Sequence, residues 1–168
     1  MAKYTHYAKA LAPSTRKKVL AALKEDELRS ALRDMFERAL TDADVHLTHG
    51  NQERGKDLVI VQRQPWGEAV FALVVKCGKL TAEARGPVDT VISQARMAYE
   101  MDAEIPTRLN GVEVNEVWIV ASGNMTNGAK DRIRAQLPAF RPRFFDADSL
   151  DDLFVEHYPE VYFHGQLL

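Results

Sequence analysis

The sequence predicts an α/β fold in which helices flank a mixed central sheet. Apolar, strand-like runs joined by short turns occupy the region before residue 80, whereas helical repeats alternate with strands after it. Strands joined by tight turns pair antiparallel, and strands joined through a helix pair parallel. Because both kinds of connection occur in one chain, we expect a mixed sheet with helices on both faces.

Composition and length bound the domain organisation. The chain has 168 residues, of which 46% are hydrophobic and 27% charged, as in an ordinary globular domain. We expect one domain over 1–168, with N-terminal helices in 1–41 and the core in 42–158. The apolar residues at 157–163 predict either a continuation into a larger protein, of which this would be the N-terminal module, or docking on a dimer partner.

Cysteine usage and hydropathy predict the location. Cys77 is the single cysteine, so no internal disulfide is possible and a reducing compartment is expected. No apolar run approaches the ~20 residues needed to cross a bilayer, and the N-terminal residues lack the apolar core of a secretory signal. We therefore expect a cytoplasmic protein without a membrane partner. The net charge of −2 neither requires nor excludes binding to nucleic acid.

The elements follow from periodicity, caps and turns. Helical spacing begins after Pro13 and resumes after Asp26, which we expect to cap the second helix, while the residues before Pro13 form a polar start. Turn chemistry at 64–67 predicts a hairpin. The strands are expected at 45–48, 56–63, 68–76, 116–121 and 143–145, and the later helices begin at Gly86-Pro87, at Thr126 (ending at about Leu137) and at Asp148 (ending before Pro159).

Two opposite charges mark the ends of the predicted hairpin. Asp57 opens one strand and Lys76 closes the next, so antiparallel pairing places both at one edge and on one face of the sheet. A lysine that ends an apolar run needs a partner, because desolvating an ammonium alone is costly. The pattern suits a metal-and-lysine phosphodiester site and also a structural ion pair, and residue chemistry alone leaves both open.

Further charged residues surround this pair in the sequence. Glu53 lies in the glycine-flanked loop before Asp57, and carboxylates can hold Mg²⁺ while a lysine orients water or stabilises developing charge. Four basic residues are candidates for contacts with phosphates, although interleaved acidic residues also fit a solvated surface. These four are Arg54, Lys56, Lys79 and Arg85.

The order of elements and several motifs resemble the PD-(D/E)XK nuclease superfamily, which includes the type II restriction enzymes. The local sequence is similar to that of the Mrr-like branch of this superfamily. The motif His49-Gly50-x-x-Glu53-x-Gly55-x-Asp57 precedes one strand, and Val74-Val75-Lys76-x-Gly78 ends the next. A helix with Gln94-Ala95-x-Met97-Ala98 and a strand with Val117-x-Ile119-Val120-Ala121 follow. The resemblance covers Leu28 to Pro159 and implies a restriction endonuclease-like αβββαβ core.

The resemblance also implies a Mg²⁺ or Mn²⁺ site. It assigns Asp57 to the metal and makes Lys76 the lysine of the (D/E)XK triplet. The acidic residue or glutamine of this triplet should lie two residues before Lys76, where this chain has Val74. A valine cannot ligate Mg²⁺. The candidates to supply a replacement from a neighbouring loop or helix are Glu53, Gln94 and Asp89.

The three replacement candidates differ in what else they could do. Glu53 is preferred because it precedes Asp57 by four residues in a glycine-flanked loop. Gln94 lies on the apolar side of its helix, where it either supports the site or hydrogen-bonds backbone at the helix–sheet junction. Asp89 lies in the first turn of that helix, where a carboxylate is favourable to the helix dipole without binding metal.

The predicted function is metal-dependent endonucleolytic hydrolysis of DNA in a restriction or anti-phage context. The expected partners are DNA, an NTPase or specificity domain, and a second copy of the chain. The alternative is a catalytically degenerate nuclease-fold domain that binds nucleic acid or protein. A third hypothesis is a small-molecule or nucleotide enzyme, which would need a deep apolar pocket away from the hairpin.

Overall fold

Five strands form one mixed sheet in the computed structural model, which describes residues 2–48, 55–83, 85–106 and 108–163. Their order in the sheet is their order in the chain, with the first three antiparallel and the last three parallel. The predicted α/β class with a mixed sheet is therefore confirmed. The strands are β1 Ala43–Leu47, β2 Leu58–Gln64, β3 Gly67–Lys76, β4 Glu116–Ala121 and β5 Arg143–Phe145.

The β2–β3 hairpin fixes the register of the sheet edge. Gln64 pairs with Gly67 across the turn, and the pairing runs back to Leu58 opposite Leu73. Gly67 has φ 140°, a conformation that favours glycine and lets the chain reverse. The predicted turn at 64–67 is thus confirmed, and its tip lies at the opposite end of the hairpin from Lys76.

Six helices and a 3₁₀ helix surround the sheet in the described part of the chain. The prediction omitted the first helix, because the residues before Pro13 show little amphipathic pattern. Tertiary packing holds that helix instead: Ala8 is fully buried, and the Tyr4 ring lies 6.0 Å from the Phe163 ring. The helices are α1 Ala2–Ala10, α2 Pro13–Ala22, α3 Glu25–Ala39, α4 Pro87–Glu100, α5 Asn127–Gln136, α6 Ala147–His157 and the 3₁₀ helix Pro159–Phe163.

Two of the predicted helix caps are wrong and one is confirmed. Asp26 lies in the first turn of α3, where Lys24 is the N-cap and donates its backbone N–H to Glu27 at 2.8 Å. Asp146 caps α6 in place of Asp148, because its carboxylate accepts from the Ser149 N–H. Both acidic residues that were predicted as caps instead lie in the first turn, where a negative charge favours the helix dipole. Thr126 caps α5 as predicted.

The two faces of the sheet bury separate hydrophobic cores. One face carries Leu58, Ile60 and Leu73 against α3 and α6. The other carries Val59, Ala72 and Val74 against α4 and α5. The residues of α4 that face this core are Val88, Val91, Ile92, Ala95 and Ala98. Within the described residues no helix is long and apolar enough to span a membrane.

Candidate functional site

Asp57 is held at the end of three strands, one residue before β2 begins. Its backbone N–H donates to Leu73 at 2.8 Å, and its carbonyl accepts from Thr48 at 3.2 Å. Its side chain is buried, with 2% of the residue exposed, and Oδ2 accepts from the Val75 N–H at 2.6 Å. The backbone of the hairpin therefore fixes the position of this carboxylate.

Lys76 ends β3 at the same edge of the sheet. The register pairs Leu58 with Leu73, so one further step places Asp57 opposite Val74, two residues before Lys76. By alternation Lys76 belongs to the face that packs on α4, whereas Asp57 lies one residue outside β2 and its carboxylate is contacted from α3. Lys76 is half-buried, and it forms no salt bridge with another residue of the described ranges.

The salt-bridge partner of Asp57 is Arg29, a residue that the sequence reasoning missed. Its guanidinium contacts Asp57 Oδ1 from the first turns of α3 and also contacts Glu25 at 2.6 Å. The sequence contained only a weak indication of this contact. Glu25 and Arg29 have the i,i+4 spacing of a helical ion pair, and Arg29 borders the buried residues of α3. The direct ion pair between Asp57 and Lys76 that the sequence left open is thus replaced by one with Arg29.

Burial leaves the charge of Asp57 incompletely compensated. Desolvation raises the pKa of Asp57 above its ordinary value, although the Val75 N–H, the Arg29 guanidinium and the Lys76 ammonium each act to lower it. Glu25 adds to the rise. A buried carboxylate whose pKa stays raised beside two cations is poised to accept a further positive charge.

Val74 occupies the position where the resemblance expects an acidic residue or glutamine. Its side chain is fully buried and packs in the core under α4. An alkyl group there contributes packing and offers no atom to a hard cation. The ligand that this position lacks has to come from another element.

Gln94 on α4 is brought to the loop that leads into Asp57. Gly55 has φ 78°, and a Cβ there would lie 2.2 Å from the Gln94 carbonyl oxygen, so only glycine allows this approach. The Gln94 Oε1 atom is buried and has no hydrogen-bond partner among the described residues. An orphaned buried oxygen is costly unless a ligand or water satisfies it.

Asp89 is occupied by structural contacts. Its carboxylate pairs with Arg132 at 2.6 Å and accepts from the Arg85 N–H at 2.8 Å. Arg132 also donates to the carbonyls of Ala82 and Glu83. Asp89 therefore anchors the segment before α4 to α5, in keeping with a helix-terminal charge.

The described donors fit a hard divalent cation. Asp57 supplies a carboxylate, and Gln94 supplies a buried carbonyl oxygen without a hydrogen-bond partner among the described residues; Mg²⁺ and Mn²⁺ accept both kinds of donor. Within the ranges that the structure describes, no three His, Cys, Asp or Glu side chains converge. Glu53, the predicted additional carboxylate, lies outside the described residues, as do Arg54 and His49.

The basic residues predicted to contact phosphates divide into two groups. Lys79 and Arg85 are exposed on the surface. Lys56 is buried, with 1% of the residue exposed. Because a buried ammonium cannot reach a phosphate at the surface, we leave Lys56 out of the proposed DNA-contacting set.

An apolar cavity lies away from the hairpin, as the small-molecule hypothesis requires. It has a volume of about 780 Å³ between α2 and α3, with Val19 and Leu23 on its walls. Asp26, Glu27 and Asp34 also line it, and no basic side chain does so in the described residues. Three carboxylates and no basic side chain on the described walls make this cavity unfavourable for the phosphates of a nucleotide.

Comparison with solved structures identifies the fold. The chain superposes on the DNA modification-dependent restriction endonuclease AspBHI with a TM-score of 0.54 and 14% identity, over 91% of this chain and 38% of that one. A second structure, "MspJI Restriction Endonuclease in Complex with 27-mer Oligonucleotide", matches with a TM-score of 0.37 and 10% identity, over 92% of this chain and 30% of that one. No family model and no curated protein matches. The likeness to AspBHI confirms the predicted restriction endonuclease-like fold.

Proposed function

We propose that this domain is a Mg²⁺- or Mn²⁺-dependent DNA endonuclease of the Mrr-like branch of the PD-(D/E)XK superfamily. The observation that carries the proposal is the edge shared by Asp57 and Lys76. There a buried carboxylate with a raised pKa lies beside an ammonium that makes no salt bridge within the described residues. Because Asp57 pairs with Arg29, the Lys76 ammonium is not needed to hold this carboxylate, and that supports a catalytic role for Lys76.

The proposed roles follow from the chemistry of each side chain. Asp57 holds the cation, with Glu53 as the additional carboxylate and Gln94 as a supporting oxygen donor. When bound, the cation supplies Lewis-acid activation of the phosphodiester or of water. Lys76 orients the attacking water or stabilises the charge that develops on the phosphate.

A DNA substrate is supported by the likeness to AspBHI, which is a DNA modification-dependent restriction endonuclease. Exposed Lys79 and Arg85, with Arg54, would contact the phosphates that flank the cut. Because the chain spans 38% of the AspBHI chain, we propose that it works with further domains or subunits. An NTPase or specificity partner, a homodimer for double-strand cutting and a cytoplasmic restriction or anti-phage role belong to this proposal.

Nicking of supercoiled plasmid in Mg²⁺ or Mn²⁺ tests the proposal. We expect metal-dependent nicking by the wild type and loss of at least about a hundredfold in rate for Asp57→Ala and Lys76→Ala. Asp44→Ala and Lys17→Ala are matched controls, because both residues form partly exposed ion pairs on other parts of the molecule. Absence of cleavage in both metals, or activity that survives Asp57→Ala and Lys76→Ala, would contradict the proposal.

A second candidate function is favoured by Val74. A fully buried valine at a ligand position is what a nuclease fold retained only for binding DNA would carry. The two functions separate when fluorescence anisotropy of labelled duplex accompanies the nicking assay. Binding without cleavage in either metal supports the degenerate module, whereas cleavage that requires Lys76 excludes it.

A further inference from the structure

Arg29 connects a buried carboxylate to an exposed one through a single nitrogen. Its Nη2 atom contacts Asp57 Oδ1 on the inside and Glu25 Oε1 at 2.6 Å on the outside. The Asp57 side chain is 3% exposed, the Glu25 side chain 39% and the Arg29 side chain 15%. The guanidinium therefore lies between the candidate site and solvent, with a partner on each side.

The same carboxylate oxygen cannot serve Arg29 and a divalent cation at close range without cost. A guanidinium and a metal ion that share one carboxylate would lie a few ångströms apart, where like charges repel strongly in a partly buried site. Asp57 Oδ2 is already oriented by the Val75 N–H at 2.6 Å, so Oδ1 is the oxygen at which the two cations compete.

Glu25 can keep the Arg29 guanidinium paired when it no longer contacts Asp57. It lies one helical turn before Arg29 on α3, and an i,i+4 pair of this kind persists without a third partner. Asp26 lies at 3.8 Å from the guanidinium and provides a further exposed carboxylate. A small outward shift of the Arg29 side chain would thus keep it paired while it releases Asp57.

We propose that Arg29 is a positioning residue that neutralises Asp57 in the metal-free protein and yields that carboxylate to the divalent cation while it keeps its ion pair with Glu25. The proposal rests on the proposed function, because it takes Asp57 as a metal ligand. It explains how a buried aspartate remains fixed and charge-balanced before the metal binds. It also predicts that substitutions of Arg29 and Glu25, which contact each other, change the affinity for the cation in opposite directions.

Titration calorimetry with Mn²⁺ alone, using the purified 168-residue chain, tests this. Arg29→Gln removes the competing charge and keeps N–H donors for Asp57, so we expect its Kd for Mn²⁺ to fall about tenfold or more. Glu25→Gln removes the alternative partner of Arg29 and should raise the Kd several-fold. Arg33→Gln is the matched control, since Arg33 lies one turn further along α3 and pairs with Asp34 at 2.7 Å, and its Kd should equal that of the wild type.

A purely structural Arg29 would give the other sign, because loosening Asp57 would weaken the binding of Mn²⁺. Unchanged or weaker binding by Arg29→Gln, beside measurable binding by the wild type, overturns this inference and leaves the proposed nuclease function standing. Absence of Mn²⁺ binding by the wild type and by both variants overturns both. If Arg29→Gln does not fold, Glu25→Gln decides, and an unchanged or lower Kd for that variant overturns the inference.

Discussion

Two buried aspartates in this domain pair with arginines on the N-terminal helices, and they differ in how completely they are satisfied. Asp151 on α6 receives two hydrogen bonds from Arg16, at 2.8 and 2.7 Å, and one from the Tyr162 hydroxyl at 2.8 Å. The Nη1 atom of Arg16 donates to the carbonyls of Ala8 and Leu11. Every partner in this cluster serves to hold α1, α2 and the 3₁₀ helix against α6.

Asp57 has a looser environment. It shares Arg29 with Glu25, and its other described side-chain contact is the Val75 N–H. Burial raises the pKa of Asp57, whereas burial and the neighbouring Asp151 raise the pKa of Tyr162 and keep its hydroxyl a donor. The comparison separates a carboxylate that stabilises the fold from one that remains available to a ligand.

The largest expected effect comes from breaking the satisfied pair. Asp151→Asn leaves Arg16, 9% exposed, without a counter-charge, so we expect the free energy of unfolding to fall by about 3–5 kcal/mol. Urea unfolding monitored by circular dichroism measures this directly. A loss below about 1 kcal/mol would show that the Arg16–Asp151 cluster is dispensable and would remove the basis of the comparison.

The opposite sign is expected at the other aspartate. Asp57→Asn removes a charge that burial disfavours and keeps a side-chain acceptor for Val75, so we expect the protein to become more stable at pH 7. Arg29 retains Glu25 in this variant. Urea unfolding of the variant and the wild type at one pH gives the difference.

The pH dependence of that difference follows from the raised pKa of Asp57. Ionised Asp57 opposes folding above its folded-state pKa, and protonation relieves the cost as pH falls through that pKa and then through the lower unfolded-state value. The advantage of Asp57→Asn should therefore grow as pH rises through the folded-state pKa and vanish in acid. A destabilised Asp57→Asn at pH 7 would place Asp57 in the same structural class as Asp151.

The smallest expected effect is on DNA binding by exposed basic side chains. Lys79→Ala with Arg85→Ala should weaken DNA binding several-fold and lower the slope of log K against log salt by about 2, because each phosphate contact contributes about 0.9. Exposed Lys9 and Lys18 on α1 and α2, the helices that Arg16 anchors to Asp151, provide the matched double alanine control. Equal salt slopes for both double variants, measured by fluorescence anisotropy, would remove Lys79 and Arg85 from the DNA-contacting surface.

The parts of this structure that local rules determine were predictable from the sequence. The hairpin register brings Asp57 and Lys76 to one edge because a tight turn and strand alternation leave little freedom. The sequence predicted a loop at Gly55. The need for glycine at this position depends on the close approach of the α4 backbone. Its left-handed φ is a local property, and the contact with Gln94 is not.

Long-range packing determined what the sequence did not reveal. Arg29 reaches Asp57 only because α3 packs beside the start of β2, and a helical arginine next to a glutamate looks like a surface pair. Lys56 looked exposed because lysine is rarely buried, and its environment depends on tertiary contacts. The position of α1 likewise follows from the 3₁₀ helix at the far end of the chain.

The most direct measurement of the central claim is paramagnetic broadening by substoichiometric Mn²⁺ in ¹⁵N-correlated NMR spectra. If Mn²⁺ binds at Asp57, we expect the amide resonances of Val75 and Lys76 to broaden first, together with those of Leu58 and Gln94. The amide resonances around Asp151 should stay sharp. Asp57→Asn should abolish this selectivity. Uniform broadening, or broadening centred on another acidic surface, would contradict a divalent-cation site at the edge shared by Asp57 and Lys76.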